Sequence, residues 1–268
     1  MKILRPNPLK FLKFLKNEFL SVHYDVLGKN SANRDAYILK SLEHRIEALK
    51  NQNFLLKEVV TSEEKKKAYD AILKRHDKRI IFLENCEILT PTPHFTNCYS
   101  IIDLRNEKEY HMDKILEYGN ILSEELKGNE KQKLENWLEA VEIIRKNSEE
   151  YDRKCLDCFS EISKYASKEL RLRTLSQLLK RHSERFEMLV KFAWPCDPFK
   201  STNFSSCLFG VDVKDELKYH AGMEIHYASL IDKIEGKENS KKMEKYYKLF
   251  IEKPYELCKD CFSQKFSI

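Results

Sequence analysis

Apolar residues recur along this chain at spacings of three and four, and the pattern predicts one helix after another. The first reads PLKFLKFLKNEFLSV, with Asn7 as its cap and Pro8 at its first position. Phe11, Leu12, Leu15, Phe19 and Val22 share one face, and Lys10, Lys13, Lys16 and Asn17 lie opposite. Residues 1–22 are thus a basic amphipathic element. Docking of its apolar face on the body is the plainer expectation; a membrane surface is the alternative partner for residues 8–22.

After Gly28-Lys29-Asn30-Ser31, a second helix is expected over 32–60. Leu39, Leu42, Ile46, Leu49, Asn53, Leu56 and Val60 make a heptad seam, with Asn53 at a position that can set register or oligomeric state. Thr61-Ser62-Glu63-Glu64 has the form of a capping box and opens the next helix, so residues 32–89 read as a long antiparallel hairpin. The seam suits either that hairpin or a second chain, and leaves the oligomeric state open. Thr90-Pro91-Thr92-Pro93 predicts a loop over 90–104 with a short extended piece at 98–104. A helical core is expected over 105–193, with a break at Gly128-Asn129 and another near 148. Residues 194–211, WPCDPFKSTNFSSCLFGV, read as an aromatic loop. Helices return over 212–268, at 215–234, 240–252 and 254–262. The fold class is all-α: an antiparallel array of about eight to ten helices, in one continuous domain.

Composition agrees. Only six Gly and seven Pro occur in 268 residues, too few to punctuate a strand-rich fold, and 34% of residues are charged. The net charge is +5, of which residues 1–22 hold +4, so the body carries a mixed-charge surface. No run reaches the ~18–20 apolar residues of a membrane span. Lysines interrupt the N-terminal apolar stretch, unlike a secretory signal. An intracellular location is expected, and there the eight cysteines would be thiols or metal ligands rather than disulfides.

Missing motifs narrow the chemistry. No two glycines lie within eight residues of each other, which removes Gly-rich phosphate cradles. No His has a Glu three residues before it, and neither His-Glu-x-x-His nor Gly-x-Ser-x-Gly occurs. His220 and His226, six apart, do not share a helix face.

Four sets of residues remain as candidates. Cys155 and Cys158, with Cys258 and Cys261, lie in a repeated Cys-x-Asp-Cys-Phe-Ser and match the ligand count of a zinc site. Both pairs fall on predicted helices without knuckle glycines, so packing of small thiols is the main expectation. No cofactor is expected otherwise. Arg171, Arg173, Lys180, Arg181 and Arg185 form a basic helix face that suits a nucleic-acid backbone or a solvated surface with ion pairs. Trp194, Phe199, Phe204 and Phe209 in the aromatic loop suit a protein partner. Finally, Arg105-Asn106, followed by His111, resembles the active-site pattern of small helical HEPN ribonucleases, over seven residues and with a spacing one residue longer. That resemblance implies Arg105 and His111 acting on a scissile phosphate and its 2′-OH. The leading expectation is a non-enzymatic helical scaffold or adaptor that binds another protein. RNA binding through the basic faces and a HEPN-like ribonuclease are the alternatives.

Overall fold

A computed structural model of the chain describes residues 59–88, 94–193 and 203–266, together with Lys40, His44 and Glu47. Among the described residues every element is helical and no strand occurs, so the chain is all-α. The amphipathic element at 8–22, the first arm of the expected hairpin, and Trp194 and Phe199 lie outside the described residues. The helices are α1 (Ser62–Ile88), α2 (Phe95–Glu125), α3 (Gly128–Ser163), α4 (Lys168–Ala193), α5 (Phe204–Glu235), α6 (Asn239–Tyr247) and α7 (Lys253–Phe266), with a π-helical turn at Lys248–Glu252. No described helix is long and apolar enough to cross a membrane.

The capping box is present at α1. The Thr61 N–H donates to Glu64 Oε2 at 2.9 Å, and the Glu64 N–H donates to Thr61 Oγ1 at 3.2 Å. α2 begins at Phe95, so the loop and extended piece expected up to residue 104 are helix instead. Burial drives the early start. Phe95 stacks on Phe159 at 5.4 Å, and His94 caps the helix by accepting from the Thr96 N–H. α3 runs unbroken through residue 148, where the Ser148 hydroxyl donates to the Ile144 carbonyl inside the helix.

α5 likewise begins at Phe204, eleven residues before the expected Asp215. Phe204 and Phe209 therefore belong to a helix and not to an aromatic loop over 194–211. Asn203 caps this start, its side chain accepting from the Ser206 N–H at 2.9 Å. Phe204 is buried against Phe262 and Phe266, with ring centroids 5.4 and 5.3 Å away, so it is not available to a partner.

The chain divides into two compact units. One comprises residues 61–187 and 222–241; the other includes 188–221 and 242–268. α4 and α5 each run from one unit into the other. In the first unit α1 packs along α2, and α2 along α3. Ion pairs show that α1 and α2 are antiparallel. Lys65 at the start of α1 meets Glu125 at the end of α2, and Arg105 near the start of α2 meets Glu87 at the end of α1. Tyr69, Ile72, Leu83, Met112, Ile115 and Leu122 fill this interface. In the second unit the apolar face of α5 (Leu208, Val211, Leu217) and the aromatic trio Phe204, Phe262 and Phe266 are buried.

Gly119 of α2 faces Leu138 of α3, and a Cβ there would collide with the Leu138 side chain. Gly119→Val is therefore expected to destabilise the protein by about 1–3 kcal/mol through overpacking. Urea unfolding of the variant beside the parent measures it, and an unchanged midpoint would contradict the close approach.

Candidate functional site

The buried face of α2 is not uniformly apolar. Asp103, Glu107 and His111 follow one another at four-residue spacing, which places them on one stripe of the helix. All three have no exposed surface, and neither have His76 on α1 and His182 on α4. A carboxylate in such surroundings must be paired, or it takes up a proton.

Two arginines do the pairing. Arg79 on α1 donates from Nε and Nη2 to Glu107 Oε1, at 2.8 and 2.5 Å. Arg181 on α4 spans both acids: Nε reaches Asp103 Oδ2 at 2.8 Å and Nη1 reaches Glu107 Oε2 at 2.6 Å. The second oxygen of Asp103 accepts from the Tyr227 hydroxyl at 2.5 Å and pairs with His182 Nε2 at 2.8 Å. All four carboxylate oxygens are thus occupied. On the far side of Glu107, His111 Nε2 lies 3.8 Å from Oε1, and His111 Nδ1 meets His76 Nδ1 at 2.6 Å. Two ring nitrogens that close share one proton in a hydrogen bond.

Electrostatics follows from this geometry. Burial pushes the Asp103 carboxyl up, but the His182 hydrogen bond, the Arg181 and His182 charges and the Tyr227 hydroxyl outweigh it and hold the group below its ordinary value. Burial pulls Arg181 down, while Glu107 and Asp103 raise it well above the ordinary guanidinium value.

The donor types here are also those of carboxylate–imidazole metal centres, and a Glu107 oxygen lies within 4.8 Å of a His182 nitrogen. Asp103 and Glu107 are each met by a guanidinium. The network is a set of charge-assisted hydrogen bonds linking α1, α2, α4 and α5.

Other candidates from the sequence are placed differently. His111 is sealed in this network, while Arg105 donates to Glu87 Oε1 at 2.7 Å, so each half of the HEPN-like pair is engaged with α1. Of the basic face, Arg181 belongs to the network and Arg171 donates to the carbonyls of Ser163 and Ala166 at the end of α3. Lys180 and Arg173 are exposed, Lys180 beside Glu184 at 3.6 Å, and Arg185 is half-buried. Cys155 and Cys158 lie on α3, and Cys258 and Cys261 on α7, in different units. Cys258 is half-buried and in no disulfide; the other three side chains lie outside the described residues.

Sequence reasoning missed Asp103, Glu107, His76, His182 and Tyr227. The signal was present in the Asp-x-x-x-Glu-x-x-x-His run at 103–111. A search for Glu three residues before His passes over it, although four-residue spacing serves one helix face equally well.

A separate groove of about 270 Å³ opens on the surface of the same unit. Leu73, Leu122, Leu126, Leu134 and Trp137 line it, and Asp70, Lys74 and Asp77 stand along its α1 side. Lys74 is held by Asp70 at 2.6 Å, which leaves Asp77 as the uncompensated charge of the lining. None of these residues belongs to the buried network. Comparison with protein-family models, curated proteins and solved structures finds no match to this chain.

Removing Arg181 takes a charged partner from two buried acids at once. Arg181→Met is expected to cost about 3–5 kcal/mol at neutral pH. Asp103 supplies a pH signature. Because its folded carboxyl is held below the ordinary 3.8, its contribution is complete above that value and is lost as pH falls below it. The stability gap between parent and Asp103→Asn should therefore narrow on acidification. A gap of constant size in denaturation at neutral and acidic pH would show that Asp103 is not ionised in the fold.

Proposed function

We propose that this protein is a non-enzymatic helical scaffold that binds a partner protein through the groove over α1, α2 and α3. The observation that carries the reading is the apolar lining of that groove, with Trp137 half-buried at its surface, while the reactive side chains of the same unit are sealed from solvent and paired with one another. A catalytic acid or base needs access to substrate. In this unit Asp103, Glu107, His76, His111 and His182 have none. A half-buried Trp between Leu side chains is instead the kind of site where an interface concentrates its energy.

The acidic balance of the lining specifies the partner further. A helix that seats one large apolar side chain between Leu126 and Trp137, with a Lys or Arg beside it for Asp77, satisfies both the floor and the charge. The basic face of α4 is a weaker basis for nucleic-acid binding, because Arg171 and Arg181 are committed to internal acceptors.

The test compares affinity capture by full-length parent and Trp137→Ala, with thermal melting to verify that the variant folds. Loss of an anchoring Trp costs about 2 kcal/mol or more, or roughly 30-fold in affinity. A protein partner should be depleted accordingly, and its recovery should be insensitive to nuclease. An identical set of partners from both proteins removes the groove as the binding surface. A partner lost on nuclease treatment points to nucleic acid instead.

A further inference from the structure

The buried network draws attention to a correspondence that runs the length of the described chain. LKRHDKR at 73–79 matches LKRHSER at 179–185, 106 residues on. FTNCYSIIDLRNEKEYH at 95–111 matches FSSCLFGVDVKDELKYH at 204–220, 109 residues on, in Phe, Cys, Asp, Glu, Tyr and His. Tyr118 and Tyr227 continue that register, and CLDCFS and CKDCFS follow at 155 and 258, 103 residues apart. The order is the same both times.

Local structure follows the same register. Phe95 opens α2 and Phe204 opens α5, each behind a residue whose side chain caps the helix. The turns after these helices hold the two positive-φ glycines among the described residues, Gly128 at 58° and Gly236 at 72°. Burial agrees pair by pair. Asp103 and Asp212, Glu107 and Glu216, His111 and His220, and His76 and His182 are each 0% exposed. The Glu107–His111 and Glu216–His220 separations are both 3.8 Å.

We infer that residues 62–163 and 168–266 are two copies of one three-helix module, and that Asp212, Glu216 and His220 form a second buried polar site equivalent to Asp103, Glu107 and His111. The apolar neighbours differ between the copies: Leu104 stands against Val213, Met112 against Ala221 and Ile115 against Glu224. The acids, histidines, arginines and tyrosine do not. A buried ion network can be replaced by apolar residues at little cost or with a gain in stability. Core filling alone therefore does not account for the same polar set standing at matching positions twice. The second copy is shortened before its Cys-x-Asp-Cys-Phe-Ser, where the single α3 is replaced by α6, the π-helical turn and α7.

Paired variants of the full-length chain test the equivalence. Asp212→Asn is expected to lower the melting temperature at neutral pH to within about a factor of two of the drop for Asp103→Asn. Glu107→Gln and Glu216→Gln, which keep the side-chain shape, form a second pair should the Asn variants fail to fold. They too should give comparable shifts. If Asp212→Asn and Glu216→Gln melt like the parent while Asp103→Asn and Glu107→Gln do not, there is no second site.

Discussion

Arg181 holds Asp103 and Glu107 together, and the first unit is arranged around that one guanidinium. Its planar fork meets two carboxylates a single helical turn apart, a geometry that lysine cannot reproduce. Arg79 from α1 and Tyr227 from α5 complete the same acids, so three helices converge on two side chains of α2. Sliding any of these helices by one turn would leave a buried charge without its partner. The apolar contacts of Ile72, Ile115 and Leu122 supply the drive to bury surface, and they tolerate such slips far better. The polar network thus selects one register among packings of similar hydrophobic content, at the expense of desolvating charges.

On the proposed reading, this division of labour separates stability from recognition. The titratable groups are spent on holding the helices, and every carboxylate oxygen in the network is occupied. What the unit offers to the outside is shape and apolar surface: a groove floored by leucines and Trp137, edged by Asp77. For a partner seated as proposed, a fixed register behind the groove would keep its lining in place and lower the ordering cost of binding.

A duplicated three-helix module explains why the same chemistry is found twice in a chain with little other internal similarity. It also changes the meaning of the repeated Cys-x-Asp-Cys-Phe-Ser. Each occurrence marks the end of its module, and Phe159 and Phe262 do matching work: Phe159 packs on Phe95 and Phe262 on Phe204, both at 5.4 Å. The hundred-residue interval between the cysteine pairs is the module length.

The sequence by itself determined the helical class, the capping box at Thr61 and the extent of α4, because local periodicity, side-chain caps and scarce Gly and Pro act within a few residues. It failed at the starts of α2 and α5, where Pro-rich stretches suggested loops. Burial of Phe95 and Phe204 against rings 64 and 58 residues away prolongs the helices there. It failed again at the polar network, since Asp103, Glu107 and His111 read as solvent-facing residues on any hydrophobicity count. Only the tertiary structure could place them inside. Burying a carboxylate is prohibitive until a guanidinium arrives to meet it, and here Arg181 comes from more than seventy residues away in the chain.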